Sequence, residues 1–242
     1  MGEPRLHYIT VATKPHIILE LIQKRVAKQS ESITVLGGKE NRYIGWQGTG
    51  NFGIKLKEVQ EFLFRENLAD NDIVLFTDSY DVIYCDKFST ILSQYLTFEK
   101  PIIFGAEKFC NPDPKQEIHY KFKDTEFPYL NSGLFIGRVW ALRKCMEKYR
   151  YNDKHDDQLF WTLQFFHSGL IELDYSNRLF LNTGGINIQE IGWDGEQGTY
   201  KDKKPAFIHV NGPDKSDLQR FLAGNPGSKQ IEDLRIATPP AL

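Results

Sequence analysis

The strongest constraint on this chain is a six-residue run, Asp72-Ile73-Val74-Leu75-Phe76-Thr77, followed without a break by Asp78-Ser79-Tyr80-Asp81. A nearly continuous apolar run of that length reads as a strand covered on both faces, as in a parallel sheet flanked by helices. Carboxylates directly after such a strand stand at the carboxyl edge of the sheet, where open α/β folds bind ligands. The preceding residues agree. Residues 6–11 alternate and branch like a first strand, Pro15 suits the first turn of a helix to about residue 28, and 33–36 form a second strand closed by Gly37-Gly38. A glycine-punctuated loop, WQGTGNFG over 46–53, leads into a helix over about 54–67. The first 80 residues thus read β-α-β-α-β, a nucleotide-binding type of half-sheet.

Beyond the acidic turn the pattern predicts a short apolar piece (DSYDVIYCD), a helix over about 89–95 and a strand over 101–104. Residues 110–127, with two prolines and many charges, read as a long surface loop. A strand over 129–136 passes through Asn131-Ser132-Gly133; helices over about 139–149 and 156–166 follow. Strands near 170–173, 179–181 and 206–210 precede a last helix over about 215–222 and a tail over 223–242. There is no internal repeat and no linker, so the expectation is one α/β domain over 1–242.

Composition excludes several classes. Of 242 residues, 40% are hydrophobic and 26% charged, which rules out a disordered chain, a collagen-like repeat and a disulfide scaffold. The net charge of −2 offers no electrostatic case for nucleic acid or an anionic membrane, and no apolar run approaches the length of a membrane span. The three cysteines, Cys85, Cys110 and Cys145, read as reduced thiols, with one bridge plus one free thiol as the alternative. The amino terminus, MGEPRLHYITVAT, lacks a basic start followed by an apolar stretch, so these residues predict a cytoplasmic chain or one trimmed from a longer precursor.

Asp78 and Asp81 stand three residues apart across a tight turn and can face one cation; as hard oxygen ligands they suit Mg²⁺ or Mn²⁺, although acidic turns also simply cap strands. His209 ends the last apolar strand, PAFIHV, before Asn211-Gly212-Pro213, and can complete a two-Asp, one-His set if the strand ends converge. Asp156-Asp157-Gln158 open the helical run LFWTLQFF: they either complement the helix dipole or present carboxylates and an amide to sugar hydroxyls. Asn131-Ser132-Gly133 reads as a bulge, a turn, or a place of close backbone approach to substrate. Lys55, near a helix start, either neutralises a leaving diphosphate or is a solvated charge, while Trp46 and Tyr80 are candidate stacking surfaces for a base or sugar ring.

Taken together, FTDSYDVI (76–83), FGAEKFC (104–110) with PDP (112–114), YLNSGLFIG (129–137), DDQLFWT (156–162) and HVNGPDK (209–215) resemble the glycosyltransferase domain of the multifunctional procollagen lysyl hydroxylases. The opening YITVATK (8–14) and WQGTGNFGIK (46–55) fit too, and the resemblance covers residues 5–222 in order. It implies a GT-A fold, with a Rossmann-like nucleotide-binding half (about 1–105) joined to an acceptor half (about 106–222). Carried over by position, Asp78, Asp81 and His209 would bind Mn²⁺ (or Mg²⁺). Thr13, Trp46, Lys55 and Tyr80 would hold UDP, and Lys215 would reach a phosphate. Asp156, Asp157 and Gln158 would lie near the donor sugar and acceptor, and Asn211 and Gly212 beside the diphosphate and reaction centre.

The implied reaction is transfer of glucose from UDP-glucose to galactosyl-hydroxylysine of collagen or a collagen-like protein, with retention at the anomeric carbon. Retention needs either a carboxylate nucleophile or same-face attack beside the leaving phosphate, and the residues do not choose. The alternatives are galactose transfer to hydroxylysine or sugar transfer to another acceptor, and a non-catalytic UDP-sugar-binding module. Oligomeric state is left open, and the family itself works in the endoplasmic reticulum lumen. Three departures stand out: Asn111 in place of the family's Trp, which removes a stacking surface; Leu134 in place of a second Gly, which would narrow the pocket; and Asn182-Thr183-Gly184 in place of an Asn-Leu-Asn-Gly turn. No oxygenase domain accompanies these motifs, so no lysine hydroxylation is expected of the chain.

Overall fold

A computed structural model describes residues 4–45, 50–65, 67–121 and 124–222. Trp46 and the 223–242 tail lie outside the described residues. The elements run β1 Leu6–Val11, α1 Ile17–Lys28, β2 Ile33–Leu36, α2 Gly53–Arg65, β3 Ile73–Thr77, β4 Val82–Tyr84, α3 Phe88–Tyr95, β5 Ile102–Glu107, β6 Tyr129–Arg138, α4 Val139–Met146, α5 Asp157–Ser168, β7 Ile171–Asp174, β8 Phe180–Asn182, β9 Ile191–Trp193, β10 Gly198–Tyr200, β11 Phe207–His209 and α6 Leu218–Leu222, with short 3-10 turns at Pro114–His119 and Ile188–Glu190.

Most expected elements are present, and their ends move for local reasons. The first helix begins two residues after Pro15 because the His16 ring caps it, Nδ1 accepting from the Ile18 amide at 3.2 Å. The segment read as a long loop holds the turn Pro114–His119, capped by the Asp113 carboxylate on the Lys115 amide. The hairpin β9–β10 has no counterpart in the sequence reading: its three-residue strands carry Gly192 and Gly198, and the tip of Ile208 from β11 packs into the space beside Gly198.

Nine strands form one sheet in the order β2-β1-β3-β6-β5-β8-β11-β4, with β7 also on β5. β1 is parallel to β2 and β3; β6 is antiparallel to both β3 and β5; β5 is parallel to β7 and β8, and β8 to β11. It follows that β1, β3, β5, β8 and β11 all run the same way and end at one edge. Only residues 78–81 separate β3 from β4, yet those strands are five steps apart in the sheet. A flat sheet would hold them about 24 Å apart, and the connecting chain reaches at most about 18 Å. The sheet therefore curls on itself. Tyr8 of β1 accordingly stacks on Tyr84 of β4, with ring centroids 6.2 Å apart, and meets Phe207 of β11 edge-on.

Inside the curl all five residues of β3 are buried. α1 contributes Ile18, Ile22 and Val26 at four-residue spacing and lies against β4; α2 touches α4 and α5. Leu134, expected to narrow a pocket, is fully buried in the core against Gly105. All three cysteines are free thiols. No helix among the described residues is long and apolar enough to cross a membrane.

Candidate active site

The common strand direction brings polar residues to one edge: Thr13 just past β1, Asp78 past β3, Glu107 ending β5, Asn182 ending β8, and His209 ending β11 with Asn211 beyond it. Each follows an apolar strand, which supplies the burial that fixes its position. Across the same edge β6 enters through a bulge. Its pairing with β5 shifts between Phe104 and Gly105, opposite Ser132-Gly133-Leu134. The bulge reading of Asn131-Ser132-Gly133 is therefore realised, and the backbone at Gly133 is approached closely by the side chains of His209 and Asp78. A Cβ at Gly133 would collide with His209 Cε1 and come within 2.9 Å of Asp78 Oδ2, so only glycine lets the site close.

Because residues 78–81 span the closing gap of the curled sheet, Asp78 and Asp81 both meet His209, and ligand atoms of the three lie within 4.8 Å of one another. His209 Nε2 stands 3.3 Å from Asp81 Oδ2 and 3.8 Å from Asp78 Oδ2. The other ring nitrogen, Nδ1, lies 2.8 Å from Asn182 Oδ1, while Asn182 Nδ2 donates to the Ala106 carbonyl at 2.9 Å. The carbonyl fixes which end of the amide is the donor. Nδ1 therefore carries a proton, which leaves Nε2 as the ring nitrogen turned toward the carboxylates and the one a metal would take.

Two ammonium groups share these carboxylates. Lys55 Nζ lies 2.7 Å from Asp78 Oδ1 and 3.4 Å from Asp157 Oδ2; Lys215 Nζ lies 2.6 Å from Asp81 Oδ2. Lys55 sits in the first turn of α2, where the dipole disfavours a cation. It is held there because Gly53 packs against the backbone of Asn152 and Asp153 with no room for a side chain. Burial opposes the Lys55 charge, but Asp157 and Asp78 outweigh it and hold the ammonium above its ordinary range. Burial pushes the Asp78 carboxyl up; at Asp81 burial is overcome by Lys215 and His209, which hold that carboxyl well below its ordinary value.

The start of α5 separates two functions that the sequence left together. Asp156 is the cap, its Oδ1 accepting from the Leu159 amide at 2.9 Å. Asp157 turns into the site, where its Oδ2 accepts from Ser132 Oγ at 2.9 Å and meets Lys55. Gln158 donates from Nε2 to Glu107 Oε1 at 2.7 Å. Glu107, absent from the sequence-based set, organises this side. It is 1% exposed and also accepts from Asn131 (3.2 Å) and Asn211 (2.9 Å), and burial raises its carboxyl above the ordinary range. Asn182 was missed too. The signal for both was the one that picked out Asp78 and His209, a polar residue ending an apolar strand.

Thr13 is buried, and its hydroxyl has no hydrogen-bond partner among the described residues. Its amide donates to the Tyr80 hydroxyl at 3.0 Å, which ties the end of β1 to the acidic turn. The Tyr80 ring lies against His16, with centroids 4.9 Å apart. Gly212 lies at an exposed bend with φ of +93°, a conformation that favours glycine. Of the sequence-predicted residues, Asp78, Asp81, His209, Lys55, Lys215 and Asp157 form one connected cluster; Gln158 joins it through Ser132, and Asn211 is tied to Gln158 through Glu107; Thr13 and Tyr80 form a neighbouring pair.

A model of the PLOD GT domain matches residues 2–226 of this chain. The chain belongs to that family. A multifunctional procollagen lysine hydroxylase and glycosyltransferase of Caenorhabditis elegans is 30% identical over 97% of this chain and 34% of that protein. The human multifunctional procollagen lysine hydroxylase and glycosyltransferase LH3 is 30% identical over 79% of this chain and 25% of that protein. The chain thus spans between a quarter and about a third of the length of these two relatives. Among solved structures, the galactosyltransferase LgtC in complex with donor and acceptor sugar analogs superposes with a TM-score of 0.50 at 16% identity, covering 97% of this chain and 98% of that one. The PLOD GT domain described here therefore has the GT-A fold of a glycosyltransferase.

Proposed function

We propose that this domain transfers glucose from UDP-glucose to galactosyl-hydroxylysine of collagen or a collagen-like acceptor, with retention and with a divalent cation. The observation that carries the reading is the convergence of Asp78, Asp81 and His209 within 4.8 Å at the ligand-binding edge of a GT-A sheet. The donor set fits a cation. Two carboxylates and a neutral imidazole nitrogen suit Mn²⁺, with Mg²⁺ as a harder substitute, and the side-chain-free space over Gly133 keeps the three together. When bound, the ion supplies positive charge to the diphosphate as it leaves.

The chain's own residues do the rest. Lys55 and Lys215 hold positive charge beside the carboxylates and offer it to phosphate oxygens. The unpartnered Thr13 hydroxyl is a buried group that a nucleotide would satisfy, and Tyr80 holds the backbone around it. Trp46 is assigned to the uridine by resemblance alone. Asp157, oriented by Ser132 and Lys55, places negative charge where the sugar becomes oxocarbenium-like. Asp156 holds the start of α5 that presents it. Asn211, Gln158 and Glu107 form an amide and carboxylate wall suited to sugar hydroxyls, and Gly212 leaves the backbone accessible beside it.

The test is UDP release from UDP-glucose, UDP-galactose and related donors, with Mn²⁺ or EDTA, with and without a galactosyl-hydroxylysine acceptor. The expected result is Mn²⁺-dependent release from UDP-glucose that the acceptor stimulates and that Asp81→Ala abolishes without loss of fold. Preference for UDP-galactose with a bare hydroxylysine acceptor would replace glucose transfer by galactose transfer. UDP binding without release from any donor would make the domain a UDP-sugar-binding module.

A further inference from the structure

Phe109 is a large aromatic residue left 55% exposed beside the candidate active site. It is two residues beyond Glu107, so the chain places its Cα within about 7 Å of that residue. The segment carrying it is held at both ends by one side chain: Gln158 Nε2 donates to Glu107 Oε1 at 2.7 Å and to the Asn111 carbonyl at 3.1 Å. Between them, Lys108 pairs with Glu126 and lies over the Phe127 ring.

The ring itself rests on bare backbone. Gly185 has φ of +80°, and a Cβ there would come within 2.8 Å of Phe109 Cε2 and 2.9 Å of Cζ. A Cβ at the preceding Gly184 would come within 2.9 Å of the Asn211 side chain, and the Gly184 amide donates to Asn211 Oδ1 at 2.7 Å. One two-glycine corner thus seats both an exposed aromatic ring and the carboxamide that bonds Glu107. Two other exposed aromatics lie elsewhere: Trp140 follows the far end of β6, and Phe64 lies near the carboxyl end of α2.

We infer that Phe109 is the surface on which the acceptor's sugar ring stacks, and that it determines acceptor specificity. The inference rests on the reading above that the acceptor ends in a galactosyl group. A pyranose with an axial 4-hydroxyl presents the C–H groups of carbons 3, 4 and 5 on one face, an apolar patch that an aromatic ring covers. Its hydroxyl edge is then left to Glu107, Asn211 and Asp157, giving the mixed apolar and polar lining typical of a small-ligand site. Asn111, two residues further on, has a polar side chain, so the stacking surface in this segment is supplied by Phe109.

The test uses the full chain and its Phe109→Ala and Phe109→Trp variants with Mn²⁺ and UDP. Saturation-transfer NMR would read contact of aromatic protons with H3, H4 and H5 of methyl β-galactoside, with methyl β-glucoside as the control; transfer kinetics would read KM for the galactosyl-hydroxylysine acceptor. In Phe109→Ala the expected result is loss of saturation at those protons and a KM raised about 5- to 10-fold, the size of an aromatic contact. UDP affinity stays within twofold, and Phe109→Trp retains both signals. Unchanged saturation and KM in Phe109→Ala, or no saturation of the galactoside by the unmodified chain, overturns the inference. Galactoside saturation lost in Phe109→Ala on a chain that transfers no glucose would uphold Phe109 and refute the transfer reading instead.

Discussion

Asn182→Ala tests the least conspicuous part of the site. Asn182 is fully buried, and its carboxamide bridges the Ala106 carbonyl and His209 Nδ1 at 2.9 and 2.8 Å. Truncation orphans the carbonyl and leaves the imidazole without the acceptor that selects its tautomer. Each buried group left unpaired costs about 1–3 kcal/mol, so the loss is about 1–3 kcal/mol if His209 shifts its proton to Nε2, and about 2–6 kcal/mol if it does not. For a chain of this size each kcal/mol lowers Tm by about 2–4 °C. Loss of such an outer partner typically weakens metal affinity about 10- to 100-fold. Nitrogen-15 NMR of His209 in metal-free protein is expected to show the Nδ1–H tautomer in the unmodified chain and a mixture in the variant. Mn²⁺ titration by calorimetry is expected to show the matching loss of affinity. An Nε2–H tautomer in the unmodified chain, or Mn²⁺ affinity within twofold between the two, would refute the reasoning.

Three further perturbations probe the same edge. Gly133→Ala puts a methyl group into the space between His209 and Asp78; overpacking costs about 1–3 kcal/mol, and Mn²⁺ affinity should fall at least tenfold with the circular dichroism spectrum unchanged, so retained affinity would mean the three ligands do not act together. Lys55→Met leaves Asp78 and Asp157 without their shared ammonium, a change that costs about 3–5 kcal/mol when the partner charge stays buried. Thermal unfolding should then show a larger Mn²⁺-induced rise in Tm for the variant than for the unmodified chain, and equal rises would sink the counterion assignment. Burial raises the Glu107 carboxyl, so its contribution is full below the unfolded value near pH 4.3 and is lost as pH rises through the folded value, at up to about 1.4 kcal/mol per pH unit. Glu107→Gln removes that dependence: denaturant unfolding in EDTA should show the variant gaining on the unmodified chain from pH 4.5 to 7, whereas a constant gap would show that Glu107 titrates normally.

Much of the architecture was legible because burial on both faces leaves a clear mark. The apolar run of β3, the alternation of β1 and the four-residue spacing in α1 read directly as strand, strand and helix. The hairpin β9–β10 was not legible, because strands of three residues carrying glycine show neither period. Leu134 was misassigned for a related reason: one residue's shift in a bulged strand decides whether a side chain faces the site or the core. The acidic helix start was ambiguous in sequence because capping and catalysis favour the same residue types; the hydrogen bonds of Asp156 and Asp157 separate them. Glu107 and Asn182 look in sequence like ordinary strand ends, and their weight comes from partners 24 to 104 residues away.

By itself the sequence determined the elements, the kinds of group at the strand ends and the family resemblance, since these depend on local pattern and residue chemistry. Only the tertiary structure decided that the strand ends meet. Asp78 and His209 are separated by three intervening strands in the sheet, and what brings them together is curvature forced by a four-residue connection between strands five places apart. Curvature is a property of the whole sheet, built from many pairings at once, and no window of sequence carries it.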